Sequence, residues 1–149
     1  MQPDAVAGLI RGNAIVWDEM LAQGMIQPGR RDVAAWSSLE YACHVRDVYR
    51  RYDDRIALML AEHDPLFPNW DQDASAVDER YDEQDPQQVV NELRSAAEGL
   101  AARLDRVTPP EWTRPGRRSD GASFTLESIC RYMIHDPIHH VWDVTKLHP

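Results

Sequence analysis

The stretch SSLEYACHVRDVYRRYDDRIALMLAE, residues 37–62, decides the fold class. Ser37 followed by Glu40 is a capping-box pair, in which each side chain satisfies a free backbone N–H at a helix start. Behind it, Tyr41, Val45, Val48, Tyr52, Ile56 and Met59 recur at steps of three and four, the spacing of one helical face. Asp64-Pro65 and Pro68 end the run, because a residue preceding proline is pushed out of helical backbone. The pattern predicts a long amphipathic helix whose apolar side needs partners.

Three further segments supply them. Val6, Leu9, Ile10, Trp17, Met20 and Leu21 place a helix from about Asp4 to Gln23, stopped by Gly24. Asp85-Pro86-Gln87-Gln88 combines an Asp cap with proline at the first helical position, and Val89, Val90, Leu93, Ala97, Leu100 and Leu104 continue a buried side up to Thr108-Pro109-Pro110. A last helix runs from near Thr125 toward Leu147, with Leu126, Ile129, Cys130, Met133, Val141, Val144 and Leu147 on its apolar side. The acidic segment 71–85 reads as a connection holding at most one short helical turn, and residues 111–124 as another. No segment alternates as a strand does. The reading is an all-α four-helix bundle with long crossover connections, one domain spanning 1–149.

Composition excludes several function classes. The chain has 149 residues, 43% hydrophobic and 28% charged, enough for one core. No apolar run is long enough to span a membrane, and the first residues lack the pattern of a secretory signal, so the expected compartment is the cytoplasm. With 25 acidic against 16 basic residues, the net charge of −9 argues against nucleic acid as a partner. Arg114, Arg117 and Arg118 form one basic cluster in a loop, read mainly as a solvated connection that can still attract an anion. Two cysteines, Cys43 and Cys130, make neither a disulfide framework nor a zinc site, and are expected as small buried residues.

The histidines carry the chemistry. His135 and His139, four apart, project from one face of the last helix, the spacing at which two imidazoles grip one metal ion. Ser128, Tyr132 and Trp142 share that face, a mixed lining that suits a cleft. His140 points toward the apolar side, and a bulge at Pro137 would exchange it for His139. His44, on the shoulder of the second helix's stripe, is the best third ligand; a buried imidazole there needs a partner. Glu40 is a fourth candidate already explained by its capping role, and Asp143 could orient His139 from behind. His63 and His148, at chain ends of helices, are not expected as ligands.

Trp36-Ser37-Ser38-Leu39-Glu40 leading to His44, and Phe124-Thr125 opening a helix with His135-Asp136-Pro137-Ile138-His139-His140 and Trp142-Asp143-Val144, resemble the DinB-like, or damage-inducible YfiT-like, metalloenzyme family. The resemblance covers about Trp36 to Val144. It implies a four-helix bundle with a three-histidine site, mapping to His44, His135 and His139, and relatives that use low-molecular-weight thiols such as mycothiol or bacillithiol. Pro137 inside the histidine pair departs from some family patterns.

Three imidazoles leave a divalent ion (zinc, nickel or iron) with an open position, the ligand count of catalytic sites. The expected function is a metal-dependent transferase, isomerase or hydrolase acting on a small molecule. The rival is a non-catalytic helical stress-response or binding protein whose metal is structural or absent. Oligomeric state is left open, a homodimer included.

Overall fold

A computed structural model of the chain describes residues 2–148; residues 1 and 149 of the expected domain lie outside it. Four long helices dominate: α1 (Ala5–Ala22), α2 (Ser38–Ala61), α4 (Pro86–Asp105) and α5 (Leu126–Leu147), with a short α3 (Gln72–Asp78) between α2 and α4. The starts follow local chemistry. At α2 the Ser37 hydroxyl accepts from the Glu40 N–H at 3.2 Å and Glu40 accepts from the Ser37 N–H at 3.1 Å. Asp85 accepts from the Gln88 N–H at 2.9 Å with Pro86 behind it, and Thr125 accepts from the Ser128 N–H at 3.1 Å.

The packing order differs from the chain order. α4 lies against both α1 and α2, and α5 lies against both α2 and α1, so α1/α2 and α4/α5 are the diagonal pairs. The α1–α2 and α4–α5 connections therefore cross the bundle, whereas the longest one, from α2 to α4, joins neighbouring helices. The core between them contains Ile10, Trp17, Leu39, Tyr49, Ile56, Leu93, Leu100, Leu126 and Ile129, all essentially inaccessible to water. Each such side chain contributes about 1.5–3 kcal/mol relative to exposure.

The expected bundle, and the adjacency of the second and last helices, are thus found. The connections hold more structure than the sequence reading gave them. Segment 71–85 contains α3 and a single 3₁₀ turn, Tyr81–Glu83. Residues 111–124, read as strandless, form a small hairpin of β1 (Pro115–Arg117) and β2 (Ser123–Thr125), paired antiparallel. Three-residue strands are too short for alternation to show. The hairpin is pinned to the end of α2: the Phe67 N–H donates to the Arg117 carbonyl at 2.9 Å and the Arg117 N–H to that of Pro65 at 2.8 Å. Gly116 permits this approach, since a Cβ there would lie 2.6 Å from Phe67 Cζ.

The basic cluster is mostly structural. Arg114 donates to the carbonyls of Met59 and Glu62 at the end of α2, and Arg117 pairs with Asp64 at 3.1 Å. Only Arg118 reaches a cleft, described below.

Pro137 neither breaks nor bulges α5, which runs through it as regular helix. Its carbonyl accepts from Asn13 Nδ2 at 3.2 Å, and Asn13 Oδ1 accepts from the Tyr49 hydroxyl at 2.6 Å. This buried relay ties α1, α2 and α5 together one residue from Asp136. No helix among the described residues is long and apolar enough to cross a membrane.

Candidate metal centre and cleft

His44 enters the α2/α5 interface almost completely buried, with 1% of its side chain accessible. Its ring stacks on Trp70 (centroids 5.6 Å apart, planes 9°) and meets Trp36 at 5.2 Å. Trp70 is held by its indole N–H donating to Ser75 Oγ at 2.9 Å, on α3. The short helix that the sequence reading treated as a connection therefore anchors one wall of the site.

Across the interface, α5 presents Asp136 and His140. His44 Nε2 lies 2.9 Å from Asp136 Oδ2, and His140 Nε2 lies 3.1 Å from Asp136 Oδ1. The other nitrogen of His140, Nδ1, is 2.9 Å from Asp143 Oδ2. One potential ligand atom from each of His44, Asp136 and His140 falls within 4.8 Å of the others, the one such group of three among the described residues.

The expected histidine triad is realised only in part. His44 stands where the sequence placed it, but the structure does not bring His135 and His139 to it. Because α5 stays regular through Pro137, the inward pair is Asp136/His140, about 100° around the helix from His135/His139. His135 and His139 are exposed and line the adjoining cleft instead. Asp143 follows the same shift: it approaches His140 at 2.9 Å and His139 only at 3.6 Å. Glu40 is fully engaged elsewhere, closing the capping box and accepting two bonds from Arg30 at 2.9 and 2.7 Å. His148 lies 3.3 Å from Ser38 Oγ, and His63 is exposed; neither joins the site.

Burial alone would raise the Asp136 carboxyl. Hydrogen bonds with His140 and His44 outweigh it and hold the group well below the usual carboxylate range. For His140, burial pushes the imidazolium down, but Asp136 and then Asp143 more than compensate and raise it. The trio is thus an anion flanked by two imidazoles. His44 Nδ1 is buried without a hydrogen-bond partner. Such an orphan costs about 1–3 kcal/mol, and buried unsatisfied groups of this kind often mark functional sites.

Beside the trio opens a cleft of about 440 Å³, lined by Tyr52, Arg55, Trp70, Arg118, His135 and His139 among others, with Asp136 shared between trio and cleft. Its volume is that of a small-molecule site.

A DinB superfamily model matches residues 17–144. The chain belongs to the DinB superfamily. Structural comparison agrees with this DinB fold. YfiT from Bacillus subtilis, described as a probable metal-dependent hydrolase with an unusual four-helix bundle topology, superposes with a TM-score of 0.87 at 19% identity, over 98% of this chain and 85% of YfiT. A mycothiol-dependent maleylpyruvate isomerase superposes with a TM-score of 0.75 at 11% identity, over 97% of this chain. The DinB chain spans 61% of that isomerase. A search of curated protein sequences finds no match.

Neither cysteine of this DinB protein is placed for chemistry. Cys43 and Cys130 are both inaccessible, and burial pushes each thiol up to about 12. The thiolate is the reactive form, so both should resist a thiol-modifying reagent at pH 8 in the folded protein and react together on denaturation. Rapid labelling of either one before unfolding, read by mass spectrometry, would contradict this placement.

Proposed function

We propose that the chain is a metal-dependent enzyme, acting on a small molecule in the cleft, with His44 Nε2, Asp136 and His140 Nε2 holding one divalent ion. The observation that carries this reading is the convergence of those three side chains from two helices beside a small-molecule cleft. The donor set fits. Metal–imidazole and metal–carboxylate bonds are about 2.0–2.2 Å, so ligand atoms around one ion lie a little over 3 Å apart, close to the separations found here. Two imidazoles and one carboxylate are also the protein ligands of known catalytic zinc sites and of non-haem iron sites.

When bound, an ion with three protein ligands supplies Lewis acidity and an open coordination position. The remaining roles fall to the chain itself. Asp143 fixes the His140 ring by its Nδ1 so that Nε2 faces the centre. Trp36 and Trp70 clamp the His44 ring and keep water from that side. His135 and His139, on the cleft wall, are available to take or give a proton.

Hydrolysis is the first reading, supported by the extent of the likeness to YfiT. The likeness to the mycothiol-dependent isomerase favours a second, in which a low-molecular-weight thiol is a co-substrate. The chain's own thiols are buried, so that thiol would come from outside.

The test is elemental analysis of protein purified without an affinity tag, followed by chelation, circular dichroism and a screen of hydrolytic and thiol-dependent reactions. About one divalent ion per chain is expected, with chelation abolishing activity but leaving the helical signal intact. A bundle of this size has a core sufficient to fold without metal, unlike a zinc finger. Unfolding on chelation would instead identify a structural ion, and absence of any bound ion would favour a non-catalytic binding protein.

A further inference from the structure

Arg55 lies on α2 with only 7% of its surface accessible, yet it lines the cleft. Its guanidinium sits 5.0 Å from the Tyr52 ring centroid and 5.3 Å from that of Phe67. Its Nε is buried without a hydrogen-bond partner, and among the described residues no carboxylate comes within 4.0 Å. The other buried Arg, Glu and His side chains among the described residues each have an ionic partner: Arg46 has Asp47, Glu40 has Arg30, and His44 has Asp136. An arginine this buried normally answers a carboxylate, because desolvating an unpaired charge is costly.

Two more guanidiniums stand close by. Arg118 lines the same cleft, donates to the Tyr132 hydroxyl at 3.2 Å and pairs with the exposed Asp120. Arg51 lies over the Trp70 ring at 5.4 Å. Burial above all, with the like charges of Arg51 and Arg118, outweighs the opposing influence of Tyr52 and pushes the Arg55 guanidinium below its ordinary range. On a chain of net charge −9, this is a local concentration of positive charge at a cavity walled by Tyr52, Trp70 and Tyr132.

We infer that Arg55 is the anchor for a carboxylate on the substrate, so that the cleft takes a small organic acid with an apolar or aromatic body. The guanidinium fork matches a carboxylate in two parallel hydrogen bonds, and aromatic walls cover the rest of such a molecule. The anchored group enters the cavity that Asp136 also lines, which sets the remainder of the molecule beside the proposed metal centre. The inference rests on reading that cleft as the substrate site.

The test compares benzoate with its uncharged isostere benzamide, using acetate and succinate as smaller probes, by calorimetry on both zinc-loaded and chelator-treated protein. Benzoate should bind at least about tenfold more tightly than benzamide in both forms, since the anchor is the arginine and not the ion. Arg55→Gln should remove that preference and leave zinc stoichiometry and benzamide affinity unchanged, with Arg55→Lys intermediate. Equal affinities for benzoate and benzamide on the unmodified protein would overturn the inference without any variant. So would no binding of the three acids up to about 10 mM, or an Arg55→Gln variant that still prefers benzoate. Failure of zinc to bind would instead sink the metal reading alone, because the chelated protein still reports on Arg55.

Discussion

Asp136→Ala is expected to lower divalent-metal affinity by more than about 100-fold, the upper end of what is lost when only a supporting partner of a ligand is removed. Asp136 sits between His44 at 2.9 Å and His140 at 3.1 Å, and its removal leaves two imidazoles on different helices with no anion between them. His140→Ala should act similarly, and Asp143→Ala should cost about 10–100-fold by freeing the His140 ring. His135→Ala and His139→Ala should retain the ion and instead alter catalysis, since those rings line the cleft. Titration of each purified variant with zinc against a competing chelator separates the two ligand sets. Metal loss from His135→Ala or His139→Ala, with Asp136→Ala unaffected, would restore the all-histidine triad.

The reason the sequence favoured the other side of α5 is specific. Residues 135/139 and 136/140 have identical spacing, so the interval of four identifies a shared face and cannot say which face points inward. The deciding signal lies in the buried run Met133, Pro137 and Val144, which continues the line of Leu126, Ile129 and Cys130. Asp136 and His140 flank that line, three and seven residues beyond Met133, whereas His135 and His139 lie farther round. Exchange of His140 for His139 was tied to a bulge at Pro137, whereas α5 stays regular there and the Pro137 carbonyl accepts from Asn13. The bundle was legible because caps and apolar stripes are local signals. His44 was legible for the same reason, as a polar residue on an otherwise apolar shoulder. The wall made by Trp70 and the unpaired Arg55 were not, because each depends on which distant segments meet. A lone arginine at position 55 of a helix carries no mark of its burial until Phe67 and Tyr52 close around it.

The largest loss of stability from a single polar substitution is expected at Asp47. Its carboxylate accepts from Arg46 Nε at 3.0 Å and Nη2 at 3.3 Å, from Arg50 at 3.4 Å, and from the Tyr81 hydroxyl in a short bond. Arg46 and Asp47 have only 4% and 12% of their side chains accessible. Asp47→Ala would leave Arg46 buried with its other contacts alone, Gln84 at 2.7 Å and Glu92 at 3.3 Å. Breaking one side of a buried ion pair costs about 3–5 kcal/mol, and the surviving partners place this case at about 3. For a domain of this length that corresponds to a fall in Tm of roughly 10 °C. Tyr81→Phe deletes one bond to a charged acceptor and should cost about 1.5–3 kcal/mol, with a double variant losing less than the sum. Burial raises the Asp47 carboxyl, but bonds from Arg46 and Tyr81 outweigh it and hold the group below its ordinary value. A carboxyl depressed in the folded state contributes stability above its unfolded pKa of about 3.9 and loses it as pH falls through the folded value. Denaturant unfolding from pH 7 down to pH 2 should therefore show a steeper acid loss for the parent than for Asp47→Asn. Beyond their shared helix, the network meets the site through aromatic packing, Tyr81 to Trp36 at 6.5 Å and Trp36 to His44 at 5.2 Å. Zinc stoichiometry of the folded Asp47→Ala protein should accordingly remain that of the parent, and loss of the ion without loss of fold would show that the two networks are one.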